Sequence, residues 1–117
     1  MRFEEEKQRI IQEYVPGKQV TLAHLIAHPD ASLYQKIGVA EGSNSALGIF
    51  TITPSEAAII SADLAVKAAQ VEIVFVDRFS GSLVLAGDVA SVRAAMEEII
   101  RVLRDAMGFS AMEITTS

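Results

Sequence analysis

Apolar positions along this chain follow two rhythms in turn. Ala46 to Ile52 is almost continuously apolar, as expected of a strand covered on both faces. Thr53-Pro54-Ser55-Glu56 comes next and has the form of a capping box with proline at the first helical position. Beyond it Ala57, Ile60, Leu64 and Ala68 recur at helical spacing, with Glu56, Asp63, Lys67 and Gln70 on the other faces. Val71 to Val76 reads as the next strand. Phe79-Ser80-Gly81-Ser82 is a tight connection, and Leu83 to Ala86 is the hairpin partner. Asp88 is a natural N-cap for a long helix. In that helix Val89, Val92, Met96, Ile99 and Leu103 form one apolar stripe, and Arg93, Glu97 and Arg101 form a ladder of charges four apart. Gly108 ends it, and Phe109 to Thr115 is a final strand. Strand-helix-strand, twice over, predicts an α+β fold of the ferredoxin-like split βαβ kind, an antiparallel sheet with both long helices on one face.

Further elements stand ahead of that unit. Ile10 to Val15 is a short apolar-rich run, and Pro16-Gly17 suits the middle of a type II turn. Val20 to Ile26 reads as a strand. His28-Pro29 opens a short helix that Gly38 closes. Glu41-Gly-Ser-Asn-Ser45 is a loop by composition.

Composition narrows the possible functions. At 117 residues the chain is one domain by length. Half of it is hydrophobic but only 6% is aromatic, which suits thin, close-packed layers of helix and sheet. A mean hydropathy of +0.33 is high for a small domain and points to surface hidden between subunits. The net charge of −5 comes with no Lys/Arg cluster, which argues against nucleic acid as a partner. No run reaches the ~18 apolar residues of a membrane span. Met1 to Arg9 is charged rather than apolar, unlike a secretory signal, so a cytoplasmic protein is expected. With no cysteine, neither a Cys-ligated cluster nor a Cys nucleophile is possible.

Little in the chain suggests catalysis. His24 and His28 are the only histidines, and Asp30 alone does not complete a metal site with them. Ser55, Ser80 and Ser82 have no His-Asp partner at a suggestive spacing, and no Gly-Ser turn opens a helix as a phosphate loop does. Asp77-Arg78 reads most simply as a surface ion pair at the hairpin. Glu4-Glu-Glu6 reads as a charged arm.

Two stretches carry a more specific message. They are Ile11-Gln-Glu-Tyr-Val-Pro-Gly-Lys-Gln-Val-Thr-Leu-Ala-His-Leu-Ile26 and Ala46-Leu-Gly-Ile-Phe-Thr-Ile-Thr-Pro-Ser-Glu-Ala57. Together with Ala65-Val-Lys-Ala-Ala-Gln70, Phe75-Val-Asp-Arg-Phe-Ser-Gly-Ser-Leu83 and Gly87-Asp88-Val89, they resemble the circularly permuted shell proteins of bacterial microcompartments, of the propanediol- and ethanolamine-utilisation type. Ala23 to Asp30 looks like the tail of an ordinary shell domain moved to the front. The resemblance implies a single permuted domain over 1–117, made of a charged leader (1–9), a barrel strand (10–18) and the core (19–117). It also implies a homohexameric tile that joins other shell proteins around encapsulated enzymes, in the shell of a cytoplasmic microcompartment. No catalysis and no cofactor or metal are implied.

The resemblance assigns roles residue by residue. Ile10, Ile11, Gln12, Glu13, Tyr14 and Val15 would join five symmetry mates in a small β-barrel over the central opening. Asp77, Arg78, Phe79, Ser80 and Gly81 would form the pore loop. Lys67 and His28 would lie at the edge between hexamers, although His28 stands where ordinary members often carry an arginine and lacks its guanidinium fork. Which compartment the tile serves stays open. The alternative from another class is a small ferredoxin-like domain that binds a metabolite and regulates.

Overall fold

A computed structural model describes residues 17–39 and 45–117. The predicted barrel strand, Ile10 to Val15, lies outside the described residues, as do the charged leader and Pro16. The described chain forms β1 (Gln19–Ile26), α1 (Ala31–Ile37), β2 (Ala46–Thr53), α2 (Ala57–Ala68), β3 (Glu72–Asp77), β4 (Ser82–Gly87), α3 (Val89–Arg101), a widened π-type turn (Val102–Ala106), β5 (Ser110–Ala111) and β6 (Thr115–Thr116).

These strands make one open sheet ordered β3-β4-β2-β1-β5, with β6 also paired to β1. β1, β2, β4 and β3 run antiparallel to one another in that order, whereas β5 and β6 lie parallel to β1. β1, expected only as an element ahead of the βαβ unit, is therefore inside the sheet. It occupies the place beside β2 where a simple split βαβ fold would put its last strand. The last strand is displaced outward and breaks into two two-residue pairings in place of the continuous strand expected over Phe109 to Thr115. Met112 and Glu113 turn out between the two pieces, while Ile114 packs on the core.

The alternation in β2 explains how both faces are covered. Ala46, Phe50 and Ile52 join Val92, Ala95, Met96 and Ile99 of α3 in the main core, with Leu83 and Leu85 of β4 and Val20, Ala23 and Leu25 of β1. Leu47 points the other way and meets Tyr34 of α1, Val84 and Ala86. Gly48 is what lets α3 come so close. A β-carbon there would lie 2.9 Å from both Met96 Sδ and Val92 Cγ1.

Helix α3 follows its sequence pattern. Val92, Met96, Ile99 and Leu103 are fully buried. Asp88 caps it as expected, accepting from the Ser91 amide at 2.9 Å and the Ser91 hydroxyl at 2.8 Å. Those bonds, the amide first, hold the Asp88 carboxyl below its usual range. A depressed folded-state pKa means that the cap stabilises above the unfolded pKa, and that this is lost as pH falls through the folded value. We therefore expect Asp88→Ala to lower the melting temperature near neutrality, and the gap to wild type to close in acid. A gap independent of pH would contradict an ionic cap. The charge ladder, by contrast, is not built. Arg101 pairs with Glu98 at 2.7 Å instead of Glu97, and Arg93 donates to the Thr116 hydroxyl at 3.2 Å, because the C-terminal segment lies within its reach.

Two other expectations fail for local reasons. No capping box forms at Thr53-Pro54-Ser55-Glu56. Ser55 donates to the Glu56 carboxylate at 2.9 Å, the Thr53–Pro54 bond is cis, and α2 begins only at Ala57. α1 is capped by Asp30, which accepts from the Ser32 amide and hydroxyl, and not opened by His28-Pro29. α2 turns inward a face that only overlaps the expected one, since Ala57 is buried and Leu64 packs on the core as expected but Ile60 and Ala68 are exposed. Ala57, Ala58, Ser61, Ala62 and Ala65 are buried, while Ile60 is 42% exposed. Small residues let the helix lie close to the sheet, so Ile59, Ile60 and Val66 are left outside while Leu64 packs at the core's edge.

Candidate functional site

The hairpin joining β3 to β4 is held from several directions. Asp77 pairs with Ser82 across the ladder, and the Gly81 amide donates to Asp77 O at 2.9 Å. The Gly81 carbonyl in turn accepts from the Ile52 amide at 2.9 Å, which ties the turn to the end of β2. Both Asp77 carboxylate oxygens serve the turn. One accepts from the Phe79 amide at 2.8 Å and the other from the Ser80 hydroxyl at 2.9 Å. These bonds, the Phe79 amide first, hold the Asp77 carboxyl below its usual range. The expected Asp77–Arg78 ion pair is not made; both carboxylate oxygens are engaged within the turn. Arg78 instead stacks on Phe79, its guanidinium carbon 4.9 Å from the ring centroid. Phe79 is 80% exposed, the largest exposure of any big apolar residue among the described residues.

The strand register fixes where the candidate residues lie relative to one another. Gln19 faces Thr53 and Thr51 faces Ser82, so the start of β1, the end of β2 and the hairpin share one end of the sheet. Ile26 faces Leu47 and Ala46 faces Gly87 at the other end, roughly 25 Å away for strands of this length. His28 follows Ile26 at that far end and is exposed. α2 starts near the hairpin and finishes at the far end, which carries Lys67 there. Lys67 forms an exposed i,i+4 pair with Asp63 at 2.8 Å, a contact worth little on its own. The pore-loop candidates Asp77 to Gly81 are therefore together at one end, and Lys67 and His28 are at the opposite end. Gly17, which follows the barrel candidates in sequence, leads into β1 at the hairpin end.

His24 does not face His28. Its ring lies between the hydroxyls of Thr115 and Ser117, with Nε2 2.8 Å from the latter, and it helps pin the C-terminal segment to β1. Among the described residues no group of three potential ligands gathers around a metal-sized space.

Sequence reasoning missed the exposed apolar flanks. α2 lies chiefly over β3, and α3 lies chiefly over β2 and reaches β1. On the α2–β3 side Ile59, Ile60, Val66, Phe75 and Val76 are exposed; on the β1–β5 side Leu22 and Met112 are. A signal was present in the small-residue face of α2 at Ala57, Ala58, Ser61, Ala62 and Ala65, which implies that bulky positions such as Ile59, Ile60 and Val66 point away from the sheet.

The profile of the BMC domain matches residues 46–116, which is β2 through β6. The chain is also 55% identical over 107 residues to the bacterial microcompartment shell protein PduU of Salmonella typhimurium, covering 92% of this chain and 91% of that one. The chain belongs to the BMC-domain family of bacterial microcompartment shell proteins. It is similar as well to the shell protein EutS of Escherichia coli, 53% identical over 112 residues that span 96% of this chain and 99% of the relative. Among solved structures, a flat hexamer of CutR superposes with a TM-score of 0.83 at 48% identity, covering 93% of this chain and 99% of that one. CutR has also been solved as screws and as a domain-swapped dimer. Members of this family are structural wall proteins and not enzymes. No helix among the described residues is long and apolar enough to cross a membrane.

Proposed function

We propose that this chain is a wall tile: a circularly permuted shell subunit that closes into a flat hexamer, with residues 10–18 forming a six-stranded barrel over the central opening. The observation that carries this reading is the distribution of exposed apolar side chains over two different flanks. Such an arrangement suits a head-to-tail contact, in which one flank of each copy meets the other flank of the next, and a rotation that closes yields a ring. A symmetric dimer would need only one patch. With the flanks used in this way, the two ends of the sheet become the inner and outer parts of the tile. The hairpin Asp77 to Gly81 then faces the axis, and Lys67 and His28 face neighbouring tiles. The barrel gives residues 10–15 a fold that one copy alone could not sustain, and a closed barrel leaves no strand edge exposed.

The single domain would thus comprise a leader (1–9), a barrel strand (10–18) and a core (19–117). Partners are five further copies, other shell proteins and the enzymes enclosed by the wall. Electron microscopy of the purified protein tests the arrangement. Six-fold rings with density over the axis are expected, and a variant lacking residues 1–16 should keep the ring but lose that density. Loss of the ring itself on deletion would contradict a core that assembles without the barrel.

A further inference from the structure

We propose that the Arg78–Phe79 pair is a docking point for small carboxylates that carry an apolar body, gathered six at a time around the axis of the ring; this rests on the ring and pore-loop reading above. The stacking geometry provides the chemistry. The guanidinium carbon lies 4.9 Å from the ring centroid, so the cation sits over the aromatic face, and among the described residues none of its five N–H donors is taken by a protein acceptor. Those donors match a carboxylate bidentately. The Phe79 ring, 80% exposed, offers apolar area next to the charge.

The turn keeps the Arg78 N–H donors available. Asp77, the adjacent carboxylate, has both oxygens engaged by the Phe79 amide and the Ser80 hydroxyl. Glu56, on the neighbouring β2–α2 turn, accepts from the Ser55 hydroxyl at 2.9 Å. Gly81 fixes the backbone through its bonds to Asp77 and Ile52, so the pair is presented from a rigid base. One exposed arginine prefers an anion by less than about fivefold, too little for a site. Six converging on a narrow opening surround a ligand with donors and rings at once, and a measurable preference arises from that multiplicity although six Asp77 carboxylates offset part of the field.

Equilibrium dialysis of the intact assembled protein against radiolabelled benzoate at low salt tests this, with light scattering of the same sample. Benzyl alcohol serves as the uncharged counterpart and orthophosphate as an anion without an apolar body. The expected result is saturable benzoate uptake, at least about tenfold weaker in Arg78→Gln, partly kept in Arg78→Lys, and absent for benzyl alcohol. A ring-sized assembly with no saturable benzoate uptake would overturn the proposal and leave the ring standing. So would equal uptake by Arg78→Gln, or orthophosphate bound in preference to benzoate. A monomer or dimer in the light-scattering trace would overturn the ring reading, and this one with it.

Discussion

Replacing Gly81 with alanine is expected to lower stability by roughly 3–5 kcal/mol, combining left-handed backbone strain, a backbone collision and a lost ladder bond. Gly81 sits at φ 78°, where side chains other than glycine are strained. A β-carbon there would also come within 2.0 Å of Ile52 O, a main-chain atom that cannot rotate away as a side chain would. Relief requires the hairpin to lift from β2, which gives up the Ile52 N–H to Gly81 O bond of 2.9 Å. Thermal unfolding followed by circular dichroism, at fixed protein concentration because assembly shifts the midpoint, should show a fall of roughly 10–20 °C. Gly108→Ala, also at positive φ but with nothing within 4 Å of its β-carbon, should cost much less. Equal losses in the two variants would show that φ alone, and not the contact with β2, governs Gly81.

Phe50→Ala should be of comparable size, about 3–5 kcal/mol, by the removal of a large side chain from a closed core. Phe50 is fully buried at the centre of β2, between Ala23 on one neighbouring strand and Leu83 on the other. It points to the side where Val92, Met96 and Ile99 of α3 pack, so truncation opens a cavity under that helix. Phe50→Leu, which keeps most of the volume, should lose well under half as much. A loss below about 1 kcal/mol for Phe50→Ala would mean that the layer collapses to fill the space, contrary to the tight approach of α3 at Gly48.

How far the sequence spoke for the fold depended on whether the deciding interaction was local. β2 was legible because a strand covered on both faces is apolar throughout. α3 was legible because its stripe and its Asp88 cap lie within one segment. Hairpin Asp77 to Ser82 was legible because its turn needs Gly81. The placement of β1 was not, because strand order is a long-range property and a strand beside β2 reads the same as one outside the unit. α2 misled in part because periodicity weighted Ile60 above alanine, whereas packing distance favoured Ala58, Ser61, Ala62 and Ala65. Glu98 was preferred over Glu97 by Arg101 through a rotamer choice that spacing alone does not decide.

For the candidate site, composition named the hairpin residues but not their engagement. That Asp77 would serve the turn and leave Arg78 to Phe79 follows from backbone geometry at Phe79 and Ser80, not from residue type. The exposed flanks were hinted at by mean hydropathy, yet their division between the α2–β3 and β1–β5 sides needed the sheet order.

Solution mass by light scattering on a sizing column tests the central claim most directly. A closed ring of six chains of 12.6 kDa predicts one species near about 76 kDa, unchanged as the protein is diluted. A monomer or dimer across a wide concentration range would contradict the closed ring. A mass that climbs with concentration through species that are not whole multiples of six chains would contradict ring closure.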